Sequence, residues 1–195
     1  MELSDKSKFI KKQFETFNLT ENELNILDNL IEVVSVKKGY CFLEFGKRTT
    51  HFGLIMKGSF YSISIDEHGN EKIHDIFYET QKPFIIDYES YLQDKPSEHT
   101  VKANTETLFI KVNIKEARKV YEIHPRFYQL ELMVLQQNFL GAISRIKILQ
   151  EQESENKIKF LQDNFPDIFQ HFSYSQIASY LGVHRNTINR ALKKR

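Results

Sequence analysis

Apolar residues recur with three different spacings along the chain, and each spacing belongs to one stretch. Near the start, Thr20-Glu-Asn-Glu23 has the form of a capping box, in which the Thr hydroxyl and the Glu carboxylate satisfy orphan backbone N–H groups. Leu24, Leu27 and Ile31 then recur at helical spacing. Beyond Lys37-Lys-Gly39 the period drops to two. Cys41, Leu43 and Phe45 alternate up to Gly46, and Phe52–Met56 is an apolar run ending at Lys57-Gly58. Tyr61, Ile63 and Ile65 alternate up to Asp66-Glu-His-Gly-Asn70, which reads as a hairpin turn. Ile73 and Phe77 are placed on one face of the returning strand, and Leu108, Ile110 and Val112 form a late strand. Many short strands punctuated by glycine predict a barrel, sandwich or roll.

The pattern turns helical again from 113 to 150, with Pro125 expected in the first turn of the main helix. There the apolar seam is Tyr128, Leu132, Leu135, Phe139, Ala142, Ile146 and Leu149, in alternating steps of four and three. This heptad pattern predicts a helix packed along another helix. Leu130, Met133, Val134, Leu140 and Ile143 load its other faces. The helix is therefore expected to lie on its own domain and to pair with its copy through Leu132, Leu135, Phe139, Ala142, Ile146 and Leu149. In the last stretch, Glu151, Glu153 and Glu155 suit a helix amino terminus. Ile158, Leu161 and Phe165 form the apolar face of that helix, and Pro166 ends it. The chain divides as 1–112, 113–150 and 151–195, and the last piece is too small for a large core of its own, so it should dock on the rest.

Composition narrows the classes. Of the 195 residues 41% are hydrophobic and 27% charged, which is globular usage. There is no run of 18 apolar residues and the amino terminus is polar, so a soluble, cytoplasmic protein is expected. The single cysteine, Cys41, rules out an internal disulfide framework and an all-cysteine iron–sulfur or zinc site within one chain. Net charge is +1, but none of the 26 acidic residues and five of the 27 basic ones lie in 172–195, leaving the remainder at 22 against 26, a net of −4. A basic end on a mildly acidic body points to an anionic partner for that end.

That end is also where the chemistry is most explicit. Ser173 with Gln176 forms a second capping box, and a short helix places Ile177, Ala178 and Leu181 inward. Gly182 supplies a left-handed turn, and a second helix follows with Thr187, Ile188, Ala191 and Leu192 toward the first. This is a helix-turn-helix. Its second helix offers Arg185, Asn186, Asn189 and Arg190. Arginine reads guanine O6/N7 and asparagine reads adenine N6/N7 in the major groove. Lys193, Lys194 and Arg195 come later, where the helix should leave the groove, and suit phosphates.

Taken together, these segments resemble the cyclic-AMP receptor protein/Fnr (Crp/Fnr) family of bacterial transcription regulators, over nearly the full chain. Gly39, Gly46, Gly58 and Gly69 fall where that family turns between roll strands, and Val101-Lys-Ala-Asn-Thr105 resembles the segment leading out of its nucleotide pocket. The resemblance implies an α+β fold: a cyclic-nucleotide-binding-like β-roll (a double-stranded β-helix, cupin-like), a long dimerisation helix and a carboxy-terminal helix-turn-helix. It implies a homodimer acting on double-stranded DNA, RNA polymerase as a further partner, and no catalysis. Two departures stand out. The family's Gly-Glu pair for the ribose becomes Ile86-Asp87, and its Arg-Ser or Arg-Thr pair for the cyclic phosphate becomes Ser97-Glu98. With a carboxylate where the phosphate would sit and no arginine to replace the lost one, this effector pocket is predicted not to take cyclic AMP. A different small-molecule effector stays open, and no cofactor is called for. The sequence also stops at Arg195, just past the recognition helix, so no β wing is evident.

The remaining candidates are weaker. His51, His68, His74, His99, His124, His171 and His184 show no metal-binding spacing. Cys41 reads as a small buried hydrophobe. Tyr78, Phe84, Tyr88 and Tyr91 read as one aromatic cluster. Two other classes compete with the regulator: a ligand-sensing or protein-interaction module with a vestigial helix-turn-helix, and an enzyme on a cupin-like fold. The latter would need clustered His and carboxylate ligands that the sequence does not display.

Overall fold

The computed structural model describes residues 3–193. Two helices, α1 (Leu3–Gln13) and α2 (Glu21–Leu30), come first, joined through a 3-10 turn at Glu15–Phe17. The capping box forms at the start of α2: the Glu23 N–H donates to Thr20 Oγ1 (3.3 Å), and Thr20 N–H donates to Glu23 Oε2 (2.8 Å). Then follow β1 (Ile31–Val36), β2 (Cys41–Leu43), β3 (His51–Lys57), β4 (Ser59–Ile65), β5 (Glu71–Tyr78), β6 (Phe84–Ile85), α3 (Tyr88–Gln93), β7 (Thr100–Ala103) and β8 (Thr107–Asn113). The strands make two antiparallel four-stranded sheets, in the orders β1-β8-β3-β6 and β2-β7-β4-β5. The chain closes with α4 (Ile114–Ile123), α5 (Phe127–Gln150), α6 (Ser154–Asn164), α7 (Ile168–His171), α8 (Tyr174–Leu181) and α9 (Arg185–Lys193).

Alternation along the strands sorts side chains into three apolar layers. Between the sheets lie Ile55, Phe60, Phe77, Ile85, Val101 and Phe109. On the outer face of the first sheet, Leu54, Phe84 and Ile110 meet Ile10 of α1 and Leu24 of α2. On the outer face of the second, Ile63, Ile73, Ile76 and Tyr78 meet Ile148 of α5 and the carboxy-terminal helices. Both sheets are thus covered on both sides. The tight link from β3 to β4 depends on Gly58, at φ +101, where a Cβ would come within 2.7 Å of the Glu106 carbonyl oxygen.

Several expectations from the sequence are corrected. Ile31 keeps helical spacing with Leu27, yet it begins β1 and pairs with Val112, because the sheet supplies the long-range partner that spacing cannot see. Ile73 and Phe77 lie on opposite faces of β5. The register slips opposite Ser62/Ile63, and this bulge turns Ile73 outward with Ile76 and Tyr78 while Phe77 stays between the sheets. Phe45 falls outside β2 and is 68% exposed. Cys41 is half-buried rather than buried, and partial burial raises its thiol pKa. Pro125 sits in the turn before α5, whose first residue is Phe127. The four aromatics separate: Tyr78 faces the carboxy-terminal helices, Phe84 faces α1 and α2, Tyr88 borders the same side as Phe84, and Tyr91 meets Phe52 edge-on at 5.2 Å.

Candidate nucleic-acid interface

The carboxy-terminal helices are built as their residues dictate. Ser173 and Gln176 complete the predicted capping box of α8, the side chains exchanging bonds of 3.3 and 2.9 Å with each other's backbone N–H. Ile177, Ala178 and Leu181 are buried to 1%, 3% and 0% exposure. Gly182 closes the helix at φ +66, and its N–H donates back to the Ser179 carbonyl. The next helix, α9, is anchored by Ile188, which has no exposed surface, with Ala191 and Leu192 packed partly against the same cluster. At its start the Asn186 N–H donates to His184 Nδ1 (3.2 Å).

The opposite face of α9 is free. Arg185, Asn186 and Arg190 are exposed, and Asn189 is half-buried beside them. Positions i, i+1, i+4 and i+5 share one side of a helix, so the four predicted base readers are brought together. Lys193 is the last residue of α9; Lys194 and Arg195 lie outside the described residues.

What the sequence did not disclose is how this unit is held. Asn104, just past β7 and 6% exposed, bridges the roll to the helices. Its Nδ2 donates to Ser59 Oγ (3.2 Å) and to the His171 carbonyl (2.7 Å), and its Oδ1 accepts from Gln176 Nε2 (2.6 Å). The β5 bulge adds a bond from the Ile73 N–H to Ser179 Oγ (3.0 Å). Arg145 of α5 lies 4.1 Å from the Tyr180 ring centre, and Lys82 pairs with Asp75 at 2.5 Å. Nearby, His74 and His99 meet with ring centres 4.2 Å apart and planes tilted by 59°, and Ser64 Oγ is 2.7 Å from His74 Nε2. Burial, followed by the neighbouring His99, brings the His74 pKa down to about 4.

The four residues mapped to an effector pocket have different surroundings. Ile86 is buried and lines a cavity beside α1 and α2, whereas Glu98 is exposed and pairs with Lys95 at 3.4 Å. Asp87 caps α3 by accepting from the Ser90 N–H (3.0 Å), and it also accepts the hydroxyl of Ser97, which is 2% exposed. Asp87 and Ser97, which come from the two different mapped pairs, thus satisfy each other. Between the sheets Phe60 and Phe109 pack edge to face at 5.3 Å, with Phe42 against both.

On α5 the seam is apolar and open. Leu132 is 52%, Phe139 63%, Ile146 55% and Leu149 42% exposed; Ala142 is exposed too, and Leu135 is half-buried. Among the described residues, no group of three His, Cys, Asp or Glu side chains could hold a metal ion, and no helix is long and apolar enough to cross a membrane.

A β-roll with a long helix leading to a helix-turn-helix is the architecture of the Crp/Fnr regulators. No protein family's model and no curated protein matches the sequence. Solved structures do match the fold. FixK2 from Bradyrhizobium japonicum is 15% identical over 85% of this chain and 84% of its own, with a TM-score of 0.67. A protein from Eubacterium rectale assigned to the crp/fnr family of transcriptional regulators is 16% identical over 91% of this chain and 83% of its own, TM-score 0.64. CLP, a c-di-GMP responsive global regulator from Xanthomonas campestris, is 14% identical over 85% of this chain and 86% of its own, TM-score 0.64. The chain therefore has the Crp/Fnr fold.

Proposed function

We propose that this protein is a homodimeric, sequence-specific DNA-binding transcription regulator of the Crp/Fnr type, with no catalytic role and with a roll that does not bind cyclic AMP. One observation carries the reading: Arg185, Asn186 and Arg190 stand exposed on one face of α9 while Ile188 fixes the other. A major-groove reader needs this division, with base-reading side chains outward on a helix whose inner face is locked. The local absence of acidic residues from 172 to 195 favours a polyanion. The fold shared with regulators such as FixK2 supports the class.

The seam on α5 supports the dimer. Its exposed side chains recur every seven residues, the spacing at which two copies can interlock. Cyclic AMP is disfavoured by the Asp87–Ser97 bond, by the Glu98 carboxylate and by the rings that fill the space between the sheets.

The deciding experiment is selection of bound fragments from genomic or random DNA by the purified protein, with scrambled duplex as competitor. A pseudo-palindromic motif with half-sites about one helical turn apart, ~34 Å, is the expected result. Equal retention of scrambled DNA, or none, would favour the competing reading in which the helix-turn-helix is vestigial.

A further inference from the structure

An apolar cavity of about 110 Å³ lies outside the roll, bounded by α1, α2, the outer face of the first sheet and the start of α5. Ile10, Leu27, Leu54, Ile110 and Val134 represent its walls. Among the side chains lining it, polar atoms come only from Tyr88, Tyr121 and Glu131. The Glu131 carboxylate already accepts the Tyr91 hydroxyl at 2.5 Å, and the Tyr88 hydroxyl is engaged by Asn138.

We propose that this cavity binds a small uncharged molecule, apolar over most of its surface and about the size of a single aromatic ring. Water is a poor occupant, since it needs two to four polar partners and most of the wall offers none. An apolar void of roughly 150 Å³ accepts benzene, so this volume, open on one side, suits a ring that protrudes slightly. A carboxylate is excluded twice over, by the Glu131 charge and by the hydrocarbon wall it would have to enter. A single hydrogen-bond donor is admitted, because the carboxylate oxygens can accept more than the one bond from Tyr91.

The position differs from the effector pocket mapped from the sequence: of Ile86, Asp87, Ser97 and Glu98, only Ile86 reaches it. It also touches α5. Leu130 and Val134 line the cavity, while Leu132 and Phe139 are exposed on the other side of the same helix. An occupant would therefore bear directly on the helix that carries the seam. The binding claim itself does not depend on DNA recognition.

The test is a titration of the full chain, with Ile, Leu and Val methyl groups labelled, using toluene, benzyl alcohol and benzoate. Toluene and benzyl alcohol are expected to shift the methyls of Ile10, Leu54, Ile110 and Val134 saturably, with half-saturation at about 1 mM or below. Benzoate is expected to bind at least about tenfold more weakly. Val134→Phe fills the cavity from α5 and should abolish the shifts. Leu27→Phe fills it from α2 and decides the matter should the first variant fail to melt cooperatively. Shifts that never saturate, that centre on Ile177 or Ile146 instead, that benzoate reproduces equally, or that survive in a folded, filled variant would overturn the proposal.

Discussion

Replacing Asn104 by alanine removes the side chain that ties the helix-turn-helix unit to the roll. Three hydrogen bonds go with it, to Ser59 Oγ, the His171 carbonyl and Gln176 Nε2. A net contribution of about 1 kcal/mol per bond, plus the cost of leaving partners unpaired where water enters poorly, gives a loss of about 2–4 kcal/mol. In a chain of this size that corresponds to a fall of about 5–15 °C in melting temperature. Asn104→Asp is the informative companion. It preserves shape and the acceptor for Gln176, but turns an oxygen toward the His171 carbonyl, now 2.7 Å from Nδ2. It should cost at least as much as alanine. Hydrogen exchange should quicken first between Ser173 and Gly182, because α8 loses an anchor while its capping box remains. A melting temperature for Asn104→Ala within about 2 °C of the parent, or a harmless Asn104→Asp, would refute the assignment of this residue as the tie.

Phe139→Glu puts a charge in the middle of the exposed seam; sedimentation should show monomers with a normal circular dichroism spectrum, and DNA affinity should drop. Arg185→Ala should cost about 1–3 kcal/mol in binding and relax preference at one position per half-site, read by repeating the fragment selection. Millimolar cyclic AMP should give no binding heat by calorimetry. For His74, the folded pKa near 4 lies below the ordinary value of 6.5, so the unfolded chain binds the extra proton. Stability from this group is complete above pH 6.5 and is lost as pH falls toward 4; His74→Gln should flatten that part of a denaturation-versus-pH curve.

Local signals were the legible ones. Thr20/Glu23 and Ser173/Gln176 close their rings within one turn, and Gly182 needs no distant neighbour to require a left-handed backbone. The exposed face of α9 was readable for the same reason: it follows from spacing along one helix. Features that depend on partners far along the chain were not. Nothing near Ile31 announces Val112, and the bulge that turns Ile73 outward is a property of two strands in register. Asn104 is 72 residues from Gln176, and only the folded chain makes them neighbours. Asp87 and Ser97 were mapped to different pairs, and only the folded chain shows the bond between them.

The long helix α5 is held near both of its ends and open along one side. Leu130 is buried among Ala117, Tyr121 and Phe127, with Val112 at the end of β8 against them; Phe139 and Ile146 face outward, and Ile148 is locked among Ile158, Leu161 and Ile168. It works as a ruler whose length cannot drift. Inserting one residue midway would rotate everything beyond it by about 100° and take Ile148 out of its socket. Inserting seven would nearly restore the rotation but slide the far end by about 10 Å, away from the strand on which α8 is seated. Other chains built on this plan should therefore vary in their turns and termini, while the number of residues corresponding to the span from Leu130 to Ile148 stays fixed.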